Sequence, residues 1–238
     1  MSTALPLGVI LPVDEIDVRL DPSPHPFELG NVEAIAANWR REIIERPAIF
    51  DGTVVLLSEF GYAGGRLFGR CHAVSYSAFM YWRKDRAGTA AHAFAHPMLV
   101  TRDNALVAIR MGAHTVNAGR VYFAAGSFEP EDFPNGVVDA HGNMVREVLE
   151  ETGLDISEAR RGERHYALAT ERGTVIFRRY FLDGTADEIA SRIRDFVASE
   201  AEPEIEEPVV IRHANDLPDG LMPHMPAMIG WHFSGGAN

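Results

Sequence analysis

The chain has 238 residues, 46% of them hydrophobic, and a formal net charge of −12. This is enough for one large domain or two small ones around a real core, but too acidic to follow a nucleic-acid backbone by charge. A single cysteine, Cys71, excludes an internal disulfide framework and points to a reducing compartment.

In chain order, the opening "MSTALPLGVILPVDE" lacks a basic lead-in, carries two prolines and meets acid at Asp14. It reads as a strand rather than a signal peptide. No apolar run approaches the ~20 residues of a membrane-spanning helix, so a soluble, cytoplasmic protein that binds neither membrane nor nucleic acid is expected. "VEAIAANWRREIIERP" has helical spacing at Val32, Ile35, Ala36, Trp39, Ile43 and Ile44 and stops at proline. "GTVVLLSEF" and "RLFGRCHAV" read as strands joined by "GYAGG". "SYSAFMYWRKDRAG" has serine caps and a basic end, hence a short aromatic helix. "HPMLVTRDNALVAIRM" reads as two strands around Asp103 and Asn104, and "RVYFAAG" as another that stops at Gly126.

After the loop "SFEPEDFPNGV" comes a helix from Asp139 to Thr152. "TVIFRRYFL" is a strand, and "TADEIASRIRDFVASE" opens with a capping box, Thr185 and Glu188, on an amphipathic helix. "PVVIRH" is a late strand and "MPHMPAMIGWHF" a final short helix. This irregular alternation predicts an α/β fold with a mixed sheet. The division expected is residues 1–94 as an N-terminal α+β extension and 95–238 as the main domain.

On the helix, Glu147, Glu150 and Glu151 stand at i, i+3 and i+4 and share one arc. Val145, Val148 and Leu149 are expected to form the opposite, packing face. Like charges at this spacing repel, and the helix C-terminus is the wrong end for acid. Arg146, four before Glu150, offsets part of the repulsion, and Gly153 is placed to end the helix in a left-handed turn. Either this is a solvated acidic face or the carboxylates collect a hard divalent cation.

The stretch "REVLEETGL", Arg146 to Leu154, resembles the second half of the Nudix hydrolase signature at every specified position. That signature runs glycine, five residues, glutamate, seven residues, then Arg-Glu-apolar-any-Glu-Glu-any-Gly-apolar. Gly126 matches the signature glycine, and Asp132 stands after five intervening residues, where the family has glutamate. Thirteen residues rather than seven separate Asp132 from Arg146, so "FPNGVV" reads as an insertion of six. The resemblance covers roughly Pro97 to Val210.

The resemblance implies a Nudix-type mixed sheet sandwiched between helices, with the signature as loop, helix and loop. It implies hydrolysis of a pyrophosphate bond in a nucleoside diphosphate linked to another moiety, assisted by Mg²⁺ or Mn²⁺. Glu150 and Glu151 match the main metal ligands, with the carbonyl of Ala125 beside them. Glu147 matches a further ligand or the proton acceptor, and Arg146 the partner that orients the glutamates. The remote base is expected in "SEAEPEIEEPVVI", with Glu204 first and Glu202 second. A general layout similar to the nucleoside-diphosphate-sugar branch makes a nucleotide sugar one substrate to consider. The family prior is a homodimer.

For the substrate, Phe79, Tyr81 and Trp82 are candidates to stack a base, Trp82 foremost, against a plain core role. Arg178 and Arg179 alternate on a strand, so one of them is expected to face a pyrophosphate, with Arg178 the candidate. His92, His96 and His141 show no zinc-like spacing and read as ordinary. The competing reading is a non-catalytic Nudix-like module that binds a nucleotide ligand and regulates a partner. Retention of all three helix glutamates and the lack of a basic domain weigh against it. RNA decapping is disfavoured by the charge.

Overall fold

The computed structural model describes residues 4–47, 49–86 and 90–236. The last residues of "SYSAFMYWRKDRAG" and the first three of the chain lie outside these. Strand β1, Ile10–Val13, is followed by β2, Glu15–Asp21, and by helices α1, Pro26–Gly30, and α2, Val32–Glu45. A hairpin of β3, Thr53–Ala63, and β4, Arg66–Ser75, turns at Gly64 and Gly65, both at positive φ, and runs into α3, Tyr76–Asp85. Then come β5, Ala93–Val100, β6, Leu106–Met111, and the short β7, Val121–Tyr122. Two single 3₁₀ turns, Pro130–Asp132 and Pro134–Gly136, precede α4, Ala140–Thr152. The chain closes with β8, Arg160–Arg161, β9, His165–Thr170, β10, Gly173–Phe181, α5, Ala186–Ser199, β11, Ile205–Ile211, and α6, Met225–Phe233.

The large sheet has the order β1-β9-β10-β5-β6-β11, with β7 on β6 and β8 on β10. It is mixed: β10 and β5 run parallel, and the other pairs are antiparallel. Alternation along β10 shows how helices cover both faces. Tyr180 meets His141 and Met144 of α4, whereas Phe177, on the other face, meets Trp231 of α6. The sheet is thus sandwiched between helices. β2, β4 and β3 form a separate three-stranded sheet.

The boundary expected at 94 falls just inside β5, and β1 is an edge strand of the large sheet. One apolar core joins Val18, Val55 and Leu67 of the small sheet to Leu99, Ile109 and Phe177 of the large one. A second cluster, with Phe27, Leu56, Phe79 and Trp82, lies under α1 and α3.

The apolar positions of α2 need correction. Ile35, Asn38 and Glu42 face inward, while Val32 and Ile44 are exposed. The burial of Asn38 and Glu42 follows from Lys84 of α3, whose ammonium binds both. "RVYFAAG" is a strand only over Val121–Tyr122. Beyond it the backbone leaves the ladder, and the Ala125 N–H goes to a side chain of α4. Among the described residues no helix is long and apolar enough to cross a membrane.

Candidate active site

α4 starts where Asp139 accepts the Gly142 N–H at 2.9 Å, and ends where Gly153 takes φ 68° and donates to the Leu149 carbonyl. Met144 and Val148 are fully buried against the sheet, each stabilising by ~1.5–3 kcal/mol. The expected division of the helix is only partly right. Leu149 is 48% exposed, and Glu147 and Glu151 are buried at 8% and 7%. The buried surface is a double stripe: Met144, Val148 and Thr152 beside Asn143, Glu147 and Glu151.

Ionised carboxylates rarely go inside without partners. Glu151 accepts the Ala125 N–H at 2.9 Å, and Glu147 pairs with Arg146 at 2.9 Å. Burial nonetheless pushes Glu147 up to about 8, its pairing with Arg146 pulling against burial and repulsion from Glu150 adding to it. Burial raises Glu151 well above the usual carboxylate range, and Glu147 and Glu204 raise it further. Glu129 is pushed up to about 7 by burial and by its hydrogen bond with Glu131.

Gly126 shows why the loop must approach so closely. A Cβ on it would stand 2.4 Å from the Glu147 carboxyl. Its φ needs no glycine; the carboxylate does. Arg146 is a three-way clamp, reaching Asp132 at 3.2 Å, Glu147 at 2.9 Å and Glu150 at 3.2 Å. Asp132, which stands where the signature has glutamate, is spent on structure. It also accepts the Asn143 amide at 3.0 Å and the Glu129 N–H at 2.9 Å.

The six extra residues tie the signature to the small sheet. The Val138 N–H donates to the Val18 carbonyl at 3.0 Å, Val137 bridges Arg19, and Phe133 is buried. The insertion therefore lies on the side of β2 and does not enter the carboxylate group.

A cavity of about 400 Å³ is lined by Gly126, Glu129, Arg146, Glu147, Glu150, Glu151, Glu202 and Glu204. The structure thus brings together the helix glutamates, Arg146 and both acidic-loop candidates. Ala125 holds Glu151 through its N–H. Of the other acidic-loop residues, Glu207 pairs with Arg110 at 3.0 Å.

The cavity opens into a cleft of about 1700 Å³ that runs to the N-terminal part. Trp82 and Phe79 wall this cleft, while Tyr81 stacks on Phe27 away from it. Trp82 also belongs to the satellite core and donates to the Ala90 carbonyl.

Arg178 is not brought to the site. Its guanidinium donates to the Gly162 and Glu163 carbonyls at the other end of β10 from the cleft residues Thr170 to Arg172. Arg179 reaches the Gly236 carbonyl and lies over Trp231. His141 bonds to Tyr180 at 2.8 Å, but His92 and His96 line the cleft, as does His224. Burial lowers His92 to about 3, His224 to about 4 and His96 well below its ordinary value, so all three are neutral. These histidines, Glu129 and Tyr122 were not legible as site residues, because no spacing joins segments that meet only in the fold.

Among the described residues no three acidic, histidine or cysteine groups are already gathered closely enough to hold one ion. The donor set still suits a hard cation. Several carboxylates face one cavity, two are buried with raised proton affinity, and a cation relieves the repulsion that a proton otherwise relieves.

No family model and no curated protein matches the chain. Among solved structures it is similar to a MutT protein from Methanosarcina mazei Go1, at 14% identity and a TM-score of 0.42 over 62% of this chain and 96% of that one. It is also similar to the E. coli ORF135 protein in solution, at 18% identity and a TM-score of 0.37 over the same shares. Likenesses this loose carry no functional argument; the chain's own residues must supply it.

Proposed function

We propose that the protein is a Nudix-type pyrophosphohydrolase that uses Mg²⁺, with Mn²⁺ as an alternative, on a nucleoside diphosphate linked to another moiety. One observation carries this reading. Glu147 and Glu151 are buried side by side at a cleft, and Gly126 is bare where the Glu147 carboxyl lies. A solvated acidic face would bury neither glutamate and would not need that glycine.

Glu147, Glu150 and Glu151 would hold the cation, with Glu204 facing them and the Ala125 carbonyl as a further donor. A bound divalent cation supplies charge neutralisation at the phosphate oxygens and a water of lowered pKa. Arg146 fixes the rotamers of Glu147 and Glu150 and keeps their charges together. The Ala125 N–H orients Glu151. Glu204, with Glu202 as the second choice, lines the same cavity and would take a proton from water there. The cleft walls, Trp82 and Phe79 among them, would take the nucleoside or the second moiety, for which a sugar is one choice.

The test is a panel of nucleoside diphosphate compounds, nucleotide sugars included, with Mg²⁺ or Mn²⁺ and a coupled phosphate readout. Wild type is expected to turn over at least one. Glu150→Gln is expected to lose metal-dependent turnover by ~100-fold or more. Because the Glu150 side chain is 58% exposed, its melting temperature in chelator should not move. Turnover at the wild-type level in this variant would remove the metal assignment. No turnover of any compound would favour the ligand-binding alternative.

A further inference from the structure

The long cleft has two ends of opposite charge. At one stand Glu147, Glu151 and Glu204; at the other Arg83 and Arg86 from the end of α3 and Arg172 from the β9–β10 turn. The guanidiniums are close enough to repel: after burial, Arg172 and Arg83 are the main causes that lower Arg86. Tyr122 lines the same cleft and feels the charges of Glu151 and Glu204 as well as that of Arg83.

Among the described residues none of the three arginines forms an ion pair with a carboxylate. This happens in a chain with 34 acidic residues and only 22 lysines and arginines, where partners are plentiful. The charge of Glu171 raises Arg86, yet it is the Glu171 main-chain carbonyl, rather than its carboxylate, that accepts from Arg86.

Two of the arginines also lie over aromatic rings. Arg86 sits in a left-handed conformation, φ 48°, that closes α3, and its guanidinium lies 5.6 Å from the Trp82 ring. Arg83 lies 6.0 Å from the Phe79 ring. His92, His96 and His224 are neutral, so they add no positive charge to that of the arginines.

We propose that Arg83, Arg86 and Arg172 form an oxyanion subsite that binds a second anionic group on the substrate, remote from the pyrophosphate bond that is cut. This deepens the pyrophosphohydrolase reading and rests on it for the word substrate; the subsite itself is testable without turnover. Guanidinium groups suit this role because their fixed forks match phosphate and carboxylate oxygens.

The test uses the full chain in EDTA, where no cation can bring phosphate to the glutamates. Inorganic pyrophosphate, inorganic phosphate and succinate are titrated separately while the melting temperature is followed. Pyrophosphate is expected to raise it by about 3 °C or more at saturation. The Arg83→Gln/Arg172→Gln variant, which leaves the Arg86 cap in place, is expected to lose that shift while melting like wild type without ligand. Glu151→Gln is expected to keep it. A response to the phosphates but not succinate assigns the group as phosphate; the reverse assigns a carboxylate. No shift in wild type with any of the three, or an equal shift in the arginine variant, overturns the subsite.

With any compound turned over in the panel, the arginine variant is expected to raise KM about tenfold or more, with kcat within about twofold. An unchanged KM would remove the subsite's role in substrate binding. Loss of the metal-free shift in the variant, with no compound hydrolysed by wild type, would leave the subsite standing and sink the hydrolase reading instead.

Discussion

Gly126 is the smallest residue in the site and the least replaceable. A Cβ there would meet the Glu147 carboxyl at 2.4 Å, inside any allowed contact, and Arg146 already holds that carboxyl from the other side. Gly126→Ala is therefore expected to push the carboxylate out of line and lower turnover by ~100-fold, the usual scale for a misplacement of about 1 Å. Backbone strain plays no part, since Gly126 is not among the positive-φ glycines. The check is kinetic: kcat should fall with the far-ultraviolet spectrum unchanged, and an alanine variant of normal activity would show that Glu147 need not occupy this position. Glu147 and Glu150 differ in a way their spacing hides. Both lie on the same arc, yet one is buried and the other exposed, because the loop before the helix covers only the first. The arginines were the reverse case: alternation along a strand suggested Arg178, but its guanidinium is used by two carbonyls. Arg83, Arg86 and Arg172 meet only through the approach of α3 to the β9–β10 turn.

At the scale of elements, α4 shows how a helix is fixed at both ends so that its middle can carry acid. Asp139 caps the start, and Gly153 closes the end at φ 68°, where a Cβ would stand 2.4 Å from the Phe196 ring of α5. Gly153→Ala combines a left-handed alanine, at ~1–2 kcal/mol, with displacement of that ring, at ~1–3 kcal/mol for an overpacked contact. A loss of ~2 kcal/mol or more is expected by urea unfolding. A loss of a few tenths would mean that α4 and α5 separate without cost. The helix, its caps and its acidic arc were legible because they depend on local spacing. The insertion was legible only as extra length. That Val137 and Val138 attach to β2 depends on a strand over a hundred residues earlier in the chain, and no local pattern carries that. Strand β9 was missed for a related reason. Its apolar residues, Tyr166 to Ala169, are buried as a continuous run rather than by alternation, the habit of central strands covered on both faces.

For the whole molecule, the mixed sheet was legible from the alternation of strand and helix patterns and the sandwich only from the signature resemblance, and the borders were not legible. A cut at residue 94 follows sequence resemblance, whereas the core runs through both sheets. The same shared interior sets the response to acid. His92, His165 and His224 are held neutral by burial, at about 3, 4 and 4. Their folded values lie below the ordinary 6.5, so the stability they contribute is present above pH 6.5. It is lost as pH falls through the folded values, because the unfolded chain takes up protons first. The raised carboxyls of Glu129, Glu147 and Glu151 act in the opposite sense, gaining stability as pH falls, so the histidine share is read as a difference between variant and wild type. In chelator, His224→Asn is expected to lose less melting temperature than wild type between pH 6.5 and 4, and an equal change would show that His224 is not held neutral.

The edge strand β1 has a consequence for how the chain is made. Ile10–Val13 leaves a ribosome well before β9, which begins at His165 and is its strand partner among the described residues. Until β9 has emerged, the small sheet that follows β1 can assemble while β1 itself stays unpaired. Pulsed hydrogen exchange during refolding should show Ile10–Val13 protected only with β9, and earlier protection would contradict this order. A strand written before the small sheet is thus placed after it, so that edge of the large sheet is closed by segments far apart in the message.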